Sequence, residues 1–131
     1  MNGYLLDTHA FIFWVNEEEI SPNFVKFLDE KNTQGKLYVS AITFWEIALL
    51  VKKERIQIDD LQLWKAEILD NTGIHVLSPS VSEMILSTEL EDCHKDPFDR
   101  LLIAQASQNK LKIITKDQIF PKYNIPVFWM K

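Results

Sequence analysis

The chain has 131 residues, 47% hydrophobic and 25% charged, which places it among ordinary globular domains that bury their own core and excludes a disordered or disulfide-stapled chain. Its net charge of −5 argues against a protein that coats nucleic acid non-specifically, and no stretch approaches the ~20 apolar residues needed to span a bilayer. Cys93 is the only cysteine, so no intrachain disulfide forms; it reads as a small apolar filler and fits a reducing compartment. The N-terminus carries no basic leader or small-residue cleavage site, so a soluble, cytoplasmic protein is expected.

In chain order, residues 4–6 form a short apolar strand ended by Asp7, and residues 9–15 a helix. Ser21 followed by Pro22 starts a second helix over residues 22–31. A strand at 37–39 leads to Ser40, a plausible N-cap for a helix over 41–53, whose end collects Lys52, Lys53 and Arg55 where the helix dipole favours cations. A helix at 60–71, a strand at 74–77 and a helix at 80–89 follow. Asp96 followed by Pro97 repeats the cap device and opens a helix over 97–109. Strands at 112–115 and 127–129 complete the pattern. The strands are mostly apolar without polar alternation, as when both faces of a parallel sheet are covered. The order predicts an α/β fold: an open parallel sheet of about five short strands, helices on both faces, with no linker or repeat dividing residues 1–131.

In such a sheet Asp7 lies at the carboxyl edge, where open α/β folds place their ligands, although it would equally serve as a helix cap. Glu46 neighbours Ile42, Leu49 and Leu50 on the helical wheel, with Trp45 and Ile47 beside it, so it projects from an apolar face. A carboxylate there needs either a distant Arg or Lys or a metal ion. Asp96 and Asp99 share one face of a helix's first turn, where a structural explanation is strong. Asp117 follows the strand that ends at Thr115, at the same edge as Asp7, and Thr115 is placed to orient a neighbouring carboxylate. Each acid has a structural explanation. That all of them face one edge is what those explanations account for poorly, since four or five carboxylates repel unless a divalent cation holds them. Oxygen-only donors select Mg²⁺ or Mn²⁺, which would activate water and stabilise an in-line displacement at phosphorus.

The stretches "LLDTHAFIFWV", "SAITFWEIALLVKK", "HKDPFDRLLIAQA" and "IITKD" cover most of the chain, and in this order they resemble a PIN-domain ribonuclease, specifically the VapC-like toxin of a bacterial type II toxin–antitoxin pair. The resemblance implies the PIN fold, an Mg²⁺- or Mn²⁺-dependent endoribonuclease, a homodimer, inhibition by a small antitoxin, and an RNA target such as tRNA or ribosomal RNA. By position, Asp7, Glu46 and Asp99 match the central acidic triad and Asp117 the fourth, more variable acid. Asp96 belongs to the "DPFDR" subgroup. For His9 the open role is a phosphate contact.

Two other classes fit less well. A phosphatase of the haloacid dehalogenase type needs Asp-x-Asp after its first strand, where His9 stands instead of the second Asp. A receiver-like signalling or binding module needs an acid after the third strand, where "IHVLSPS" has none. A catalytically silent PIN scaffold is the third alternative, and the intact set of acids argues against it. Lys95, Arg100 and Lys116, with Lys52, Lys53 and Arg55, are candidates for phosphate contacts; Thr115 and His9 complete the substrate-side set. "FIFWV" with Trp45 and Trp64 offers more apolar surface than a small core hides, which suggests a partner face.

Overall fold

Tyr4–Leu6 (β1) is the middle strand of a five-stranded sheet in a computed structural model that describes residues 3–91 and 95–131; Cys93 lies outside the described residues. Leu37–Ser40 (β2) and Lys112–Ile114 (β4) flank it, with His75–Leu77 (β3) and Val127–Phe128 (β5) outside them, and every neighbouring pair is parallel. Leu6 pairs with Val39 on one side and Ile114 on the other. β1 and β4 therefore end level and β2 one residue later, so Asp7 and Thr115, just beyond their strands, lie beside Ser40, the last residue of β2.

Successive strand residues point to opposite faces. Leu5 and Ile113 pack against Leu102 and Ile103 of the helix Pro97–Asn109 (α6). Leu6, Val39 and Ile114 pack on the other face, against Phe11 of Thr8–Asn16 (α1) and Phe24 and Leu28 of Pro22–Thr33 (α2). All of these side chains are buried, each stabilising the fold by about 1.5–3 kcal/mol, and double-sided burial is why the central strands carry no polar alternation. β3 departs from that expectation: as an edge strand it leaves His75 and Val76 exposed.

The remaining α-helices are Ala41–Lys52 (α3), Leu61–Thr72 (α4) and Val81–Glu89 (α5), which packs along α6; a short 3-10 turn covers Phe120–Tyr123. Their starts are set by side-chain caps. Asp7 accepts from the Ala10 N–H, Ser21 from Phe24, Ser40 from Ile42, Asp60 from Leu63, Ser80 from Glu83 and Asp96 from Phe98. α1 consequently begins one residue earlier than the sequence pattern suggests, and α4 and α5 one later. α2 runs two residues further, ending just before Gly35 turns the chain at φ 71°.

Of "FIFWV", Phe11 and Trp14 are buried and Ile12, Phe13 and Val15 partly so, so the core takes up much of this apolar surface, while Trp14 and Val15 also line a groove with Trp64. The exposed large apolar side chains include Trp45 on α3, Leu63 on α4, Val76 on β3, and Val81, Met84 and Ile85 on α5.

Candidate active site at the carboxyl edge of the sheet

A cleft of about 550 Å³ opens where β1, β2 and β4 end, lined by Asp7, Thr8, His9, Phe13, Glu46, Asp96, Asp99, Lys116 and Asp117. All five acids singled out in the sequence are on its wall. Asp7 is only 8% exposed because it closes a buried strand, and its Oδ1 accepts from the Ala10 N–H at 2.7 Å. Burial raises its pKa above the ordinary carboxylate value; the Thr115 hydrogen bond, the Ala10 N–H and His9 pull it down, and Asp117 adds to the rise. The carboxyl of Asp99, in the first turn of α6, is pushed up to about 8 by burial first and then by Asp96, Glu46, Asp7 and Asp117. The last four are the other acids of the cleft, so the wall is a single electrostatic unit.

Glu46, Asp96 and Asp117 each commit an oxygen to a nearby donor. Glu46 Oε1 accepts from the Thr8 hydroxyl at 2.6 Å; among the described residues a hydroxyl, not an Arg or Lys, is its partner. Asp96 Oδ1 caps α6 through the Phe98 N–H at 2.9 Å. Asp117 Oδ1 accepts from the Ile119 N–H at 2.9 Å, so it is a turn residue as well as a wall of the cleft. Among the described residues, no three or more His, Cys, Asp or Glu side chains stand ready-arranged around one ion position. The acids line the cleft without meeting at a point, as like charges do when each is tethered separately.

The substrate-side candidates separate. His9 is exposed at the cleft, and Lys116 lines it with its ammonium 5.2 Å from the Phe13 ring centre and 5.9 Å from that of Trp129. Lys53 and Lys95 border an adjoining groove, while Lys52 and Arg55 are exposed around the end of α3. Thr115 is 2% exposed; its hydroxyl bonds Asp7 and accepts the Asp117 N–H at 3.0 Å, the arrangement of a residue that orients neighbouring carboxylates. Arg100 stands apart from these residues. Its guanidinium donates to the carbonyls of Ser87, Leu90 and Glu91 at 3.0, 2.7 and 3.0 Å and so ties the end of α5 to α6 away from the cleft wall. Thr8 and Phe13 are cleft residues that sequence reasoning missed; the only available signal for Thr8 was its place directly after Asp7.

An open parallel α/β sandwich whose acids gather beyond the carboxyl ends of its central strands defines a protein with an acidic site at the switch of the sheet. The pattern of the PIN domain matches residues 4–126, and the chain belongs to the PIN domain family. It is similar to Ribonuclease VapC22 of Mycobacterium tuberculosis (strain ATCC 25618 / H37Rv), with 28% identity over an aligned length of 131, covering 96% of this chain and 95% of the relative. Its fold matches VapBC2 from Rickettsia felis, solved bound to a DNA fragment from their promoter, with a TM-score of 0.77 at 16% identity over 100% of both chains. DNA-bound VapBC from Salmonella typhimurium matches with a TM-score of 0.74 at 16% identity over 98% of each chain. A PIN fold leaves no place for the receiver or dehalogenase alternatives.

Proposed function

We propose that the chain is a metal-dependent endoribonuclease of the VapC kind, the toxin of a type II toxin–antitoxin pair acting in the cytoplasm, with residues 1–131 as one PIN domain. The observation that carries this reading is the mutual electrostatics of the cleft: Asp99 is raised to about 8 partly by Asp96, Glu46, Asp7 and Asp117, and such a set is relieved by a cation. The relative named Ribonuclease VapC22 supports it. The donors are oxygens, which suits Mg²⁺ or Mn²⁺, and Asp7, Glu46, Asp99 and Asp117 would hold the ion, with Asp96 at the edge of the set. A bound ion would supply Lewis-acid stabilisation of the phosphorane-like charge and a more acidic water.

The chain's own groups do the positioning. Thr115 and the Ala10 N–H hold Asp7, and Thr8 holds Glu46. Asp99, raised to about 8, holds a proton at neutral pH in the ion-free protein and would release it to a bound cation. His9 and Lys116 at the wall are placed to meet substrate phosphates.

For the antitoxin, the best-suited surface is a groove of about 390 Å³ between α1, α2 and α4, where Trp14 and Trp64 are edged by Glu17, Asp29 and Glu67. That chemistry takes a basic segment with apolar anchors. The exposed Val81, Met84 and Ile85 of α5 suit a homodimer face.

The deciding experiment is cleavage of RNA by purified protein with Mg²⁺ or Mn²⁺, with EDTA, and by Asp7→Asn, Glu46→Gln and Asp99→Asn. Activity is expected only with the ion and the intact acids. Metal-independent cleavage by contaminant-free wild type would rule out the mechanism, and failure to cut any RNA with the ion bound would leave a silent scaffold.

A further inference from the structure

We infer that the amino edge of the sheet, opposite the acidic cleft, carries an anion site: Lys31, Lys36, Lys110 and Lys112 line one pocket that takes a di- or triphosphate group, free or as the tail of a nucleotide. The site is separate from the cleft and does not depend on the ribonuclease reading.

The pocket, of about 280 Å³, opens where β1, β2, β4 and β5 begin, and Gly3, Tyr4 and Pro126 complete its lining. The parallel register assembles it. Tyr4 pairs with Leu37 on one side and Lys112 on the other, Lys36 directly precedes β2, and Pro126 directly precedes β5. Lys110 ends α6 and Lys31 lies in the last turn of α2. A Cβ on Gly3 would stand 2.7 Å from the Tyr38 ring and 3.1 Å from the Lys36 carbonyl, so the chain enters β1 here only as bare backbone, close beside the segment that carries Lys36.

Surface lysines are ordinary, and two of these have a local reason for their place: cations favour the C-terminal ends of helices, which accounts for Lys31 and Lys110. Lys36 and Lys112 stand before and in strands and have no such reason. In a chain of net charge −5, four of the 14 Lys and Arg residues border this one pocket, and no Asp or Glu is among its lining residues. Lys31 donates to the Gln34 side-chain carbonyl at 3.4 Å, and its ammonium and that of Lys112 each stand 5.9 Å from the centre of the Tyr4 ring. An amide and a ring orient ammonium groups without cancelling their charge, so the mutual repulsion is left for an anion to offset.

The concentration of charge selects the ligand. A nucleic-acid strand puts a sugar between successive phosphates, so few of them fit a small pocket, and a carboxylate brings a single charge on two oxygens. A polyphosphate group joins its phosphates through single oxygens and brings several charges into the same space. Ammonium groups are point charges with rotatable donors, which suits that dense set of oxygens better than a planar, bidentate acceptor. Tyr4 offers no stacking platform, because its ring is packed against Phe27 and Phe128 at 5.4 and 6.1 Å with the two ammonium groups beside it. Recognition is therefore of the phosphates.

The test is calorimetric titration of the full chain at low ionic strength in EDTA, which keeps divalent ions from bridging phosphates to the acids of the cleft. Inorganic tripolyphosphate and ATP are each expected to bind one per chain, the tighter of the two naming the source, with orthophosphate and AMP weaker by about tenfold or more. Lys36→Gln and Lys110→Gln, both at exposed positions and so safe for folding, should each weaken tripolyphosphate about three- to tenfold, and the double variant more than either. Lys116→Gln, at the cleft, should bind it as wild type does. Absence of binding by wild type would overturn the inference, as would an affinity untouched by both pocket variants. An equal loss in Lys116→Gln would move the anion to the cleft and overturn it too. So would a ten-nucleotide single-stranded RNA that competes as strongly as tripolyphosphate, which would give the lysines to a nucleic-acid backbone.

Discussion

The Thr8 hydroxyl donates to Glu46 Oε1 across 2.6 Å, joining the first turn of α1 to the middle of α3. Because Thr8 directly follows Asp7, the same piece of backbone sets two acids. Thr8→Val, which keeps the shape and removes the donor, is expected to lower RNA cleavage by about 10–100-fold, the usual loss when a group that orients an ion ligand is removed. Thr8→Ser should retain most activity. Glu46→Gln can still accept from Thr8, so its ion-free melting should stay near wild type while the rise in melting temperature on adding Mn²⁺ shrinks. A strongly destabilised Glu46→Gln with an unchanged Mn²⁺ increment would remove Glu46 from the site.

Asp96 does two things at once, capping α6 through the Phe98 N–H and standing on the cleft wall. Asn caps as well as Asp, so Asp96→Asn should melt close to wild type, whereas Asp96→Ala should lose about 0.5–2 kcal/mol. Their activities separate the roles. If capping is the main one, Asp96→Asn keeps far more activity than Asp99→Asn; equal losses at normal stability would make Asp96 a ligand.

The central strands were legible because Leu5, Leu6, Ile113 and Ile114 are buried on both faces and so break the polar alternation of a half-exposed sheet. Asp96-Pro97 marked the start of α6 to the residue, since cap chemistry is local. The acids were legible for the same reason: each sits directly after a strand or in a helix turn, and the parallel order brings those positions to one edge. Thr8 was not, because its acceptor is 38 residues away. The partners of Arg100 were not legible either, because the carbonyls it holds belong to backbone that no side-chain pattern marks. The burial of Phe11 and Trp14 depended on distant elements, Phe44 of α3 and Trp64 of α4 against Phe11 and Asp29 of α2 bonded to the Trp14 indole, which periodicity within α1 does not reveal.

Arg100 makes a structural prediction with a clean control. Arg100→Ala would strand the carbonyls of Ser87, Leu90 and Glu91 and is expected to cost about 1.5–3 kcal/mol, seen as a lower urea midpoint. Arg100→Lys should recover little, since an ammonium cannot span the three acceptors as a fork does. Cleavage per folded molecule should be unchanged in both. A raised KM at normal stability would return Arg100 to the substrate side.

The pH dependence of the ion-free protein tests the electrostatics of the cleft. Asp99 titrates near the ordinary 3.8 when unfolded and at about 8 in the fold, so between those values the native state binds a proton that the unfolded state has lost. Stability from this group is therefore intact at and below pH 4 and is lost as pH rises towards 8. The slope is at most about 1.4 kcal/mol per pH unit, and partial exposure makes the total no more than a few kcal/mol. Asp7, raised in the same direction, adds to the trend. In EDTA, Asp99→Asn should therefore gain stability over wild type progressively from pH 5 to pH 8, and the wild-type gain from Mn²⁺ should grow over the same window as the ion replaces the proton. Thermal melts of both proteins at pH 5, 6.5 and 8 measure this. A constant difference between them across the series would mean that Asp99 is not held by its neighbours in the way the cleft geometry requires.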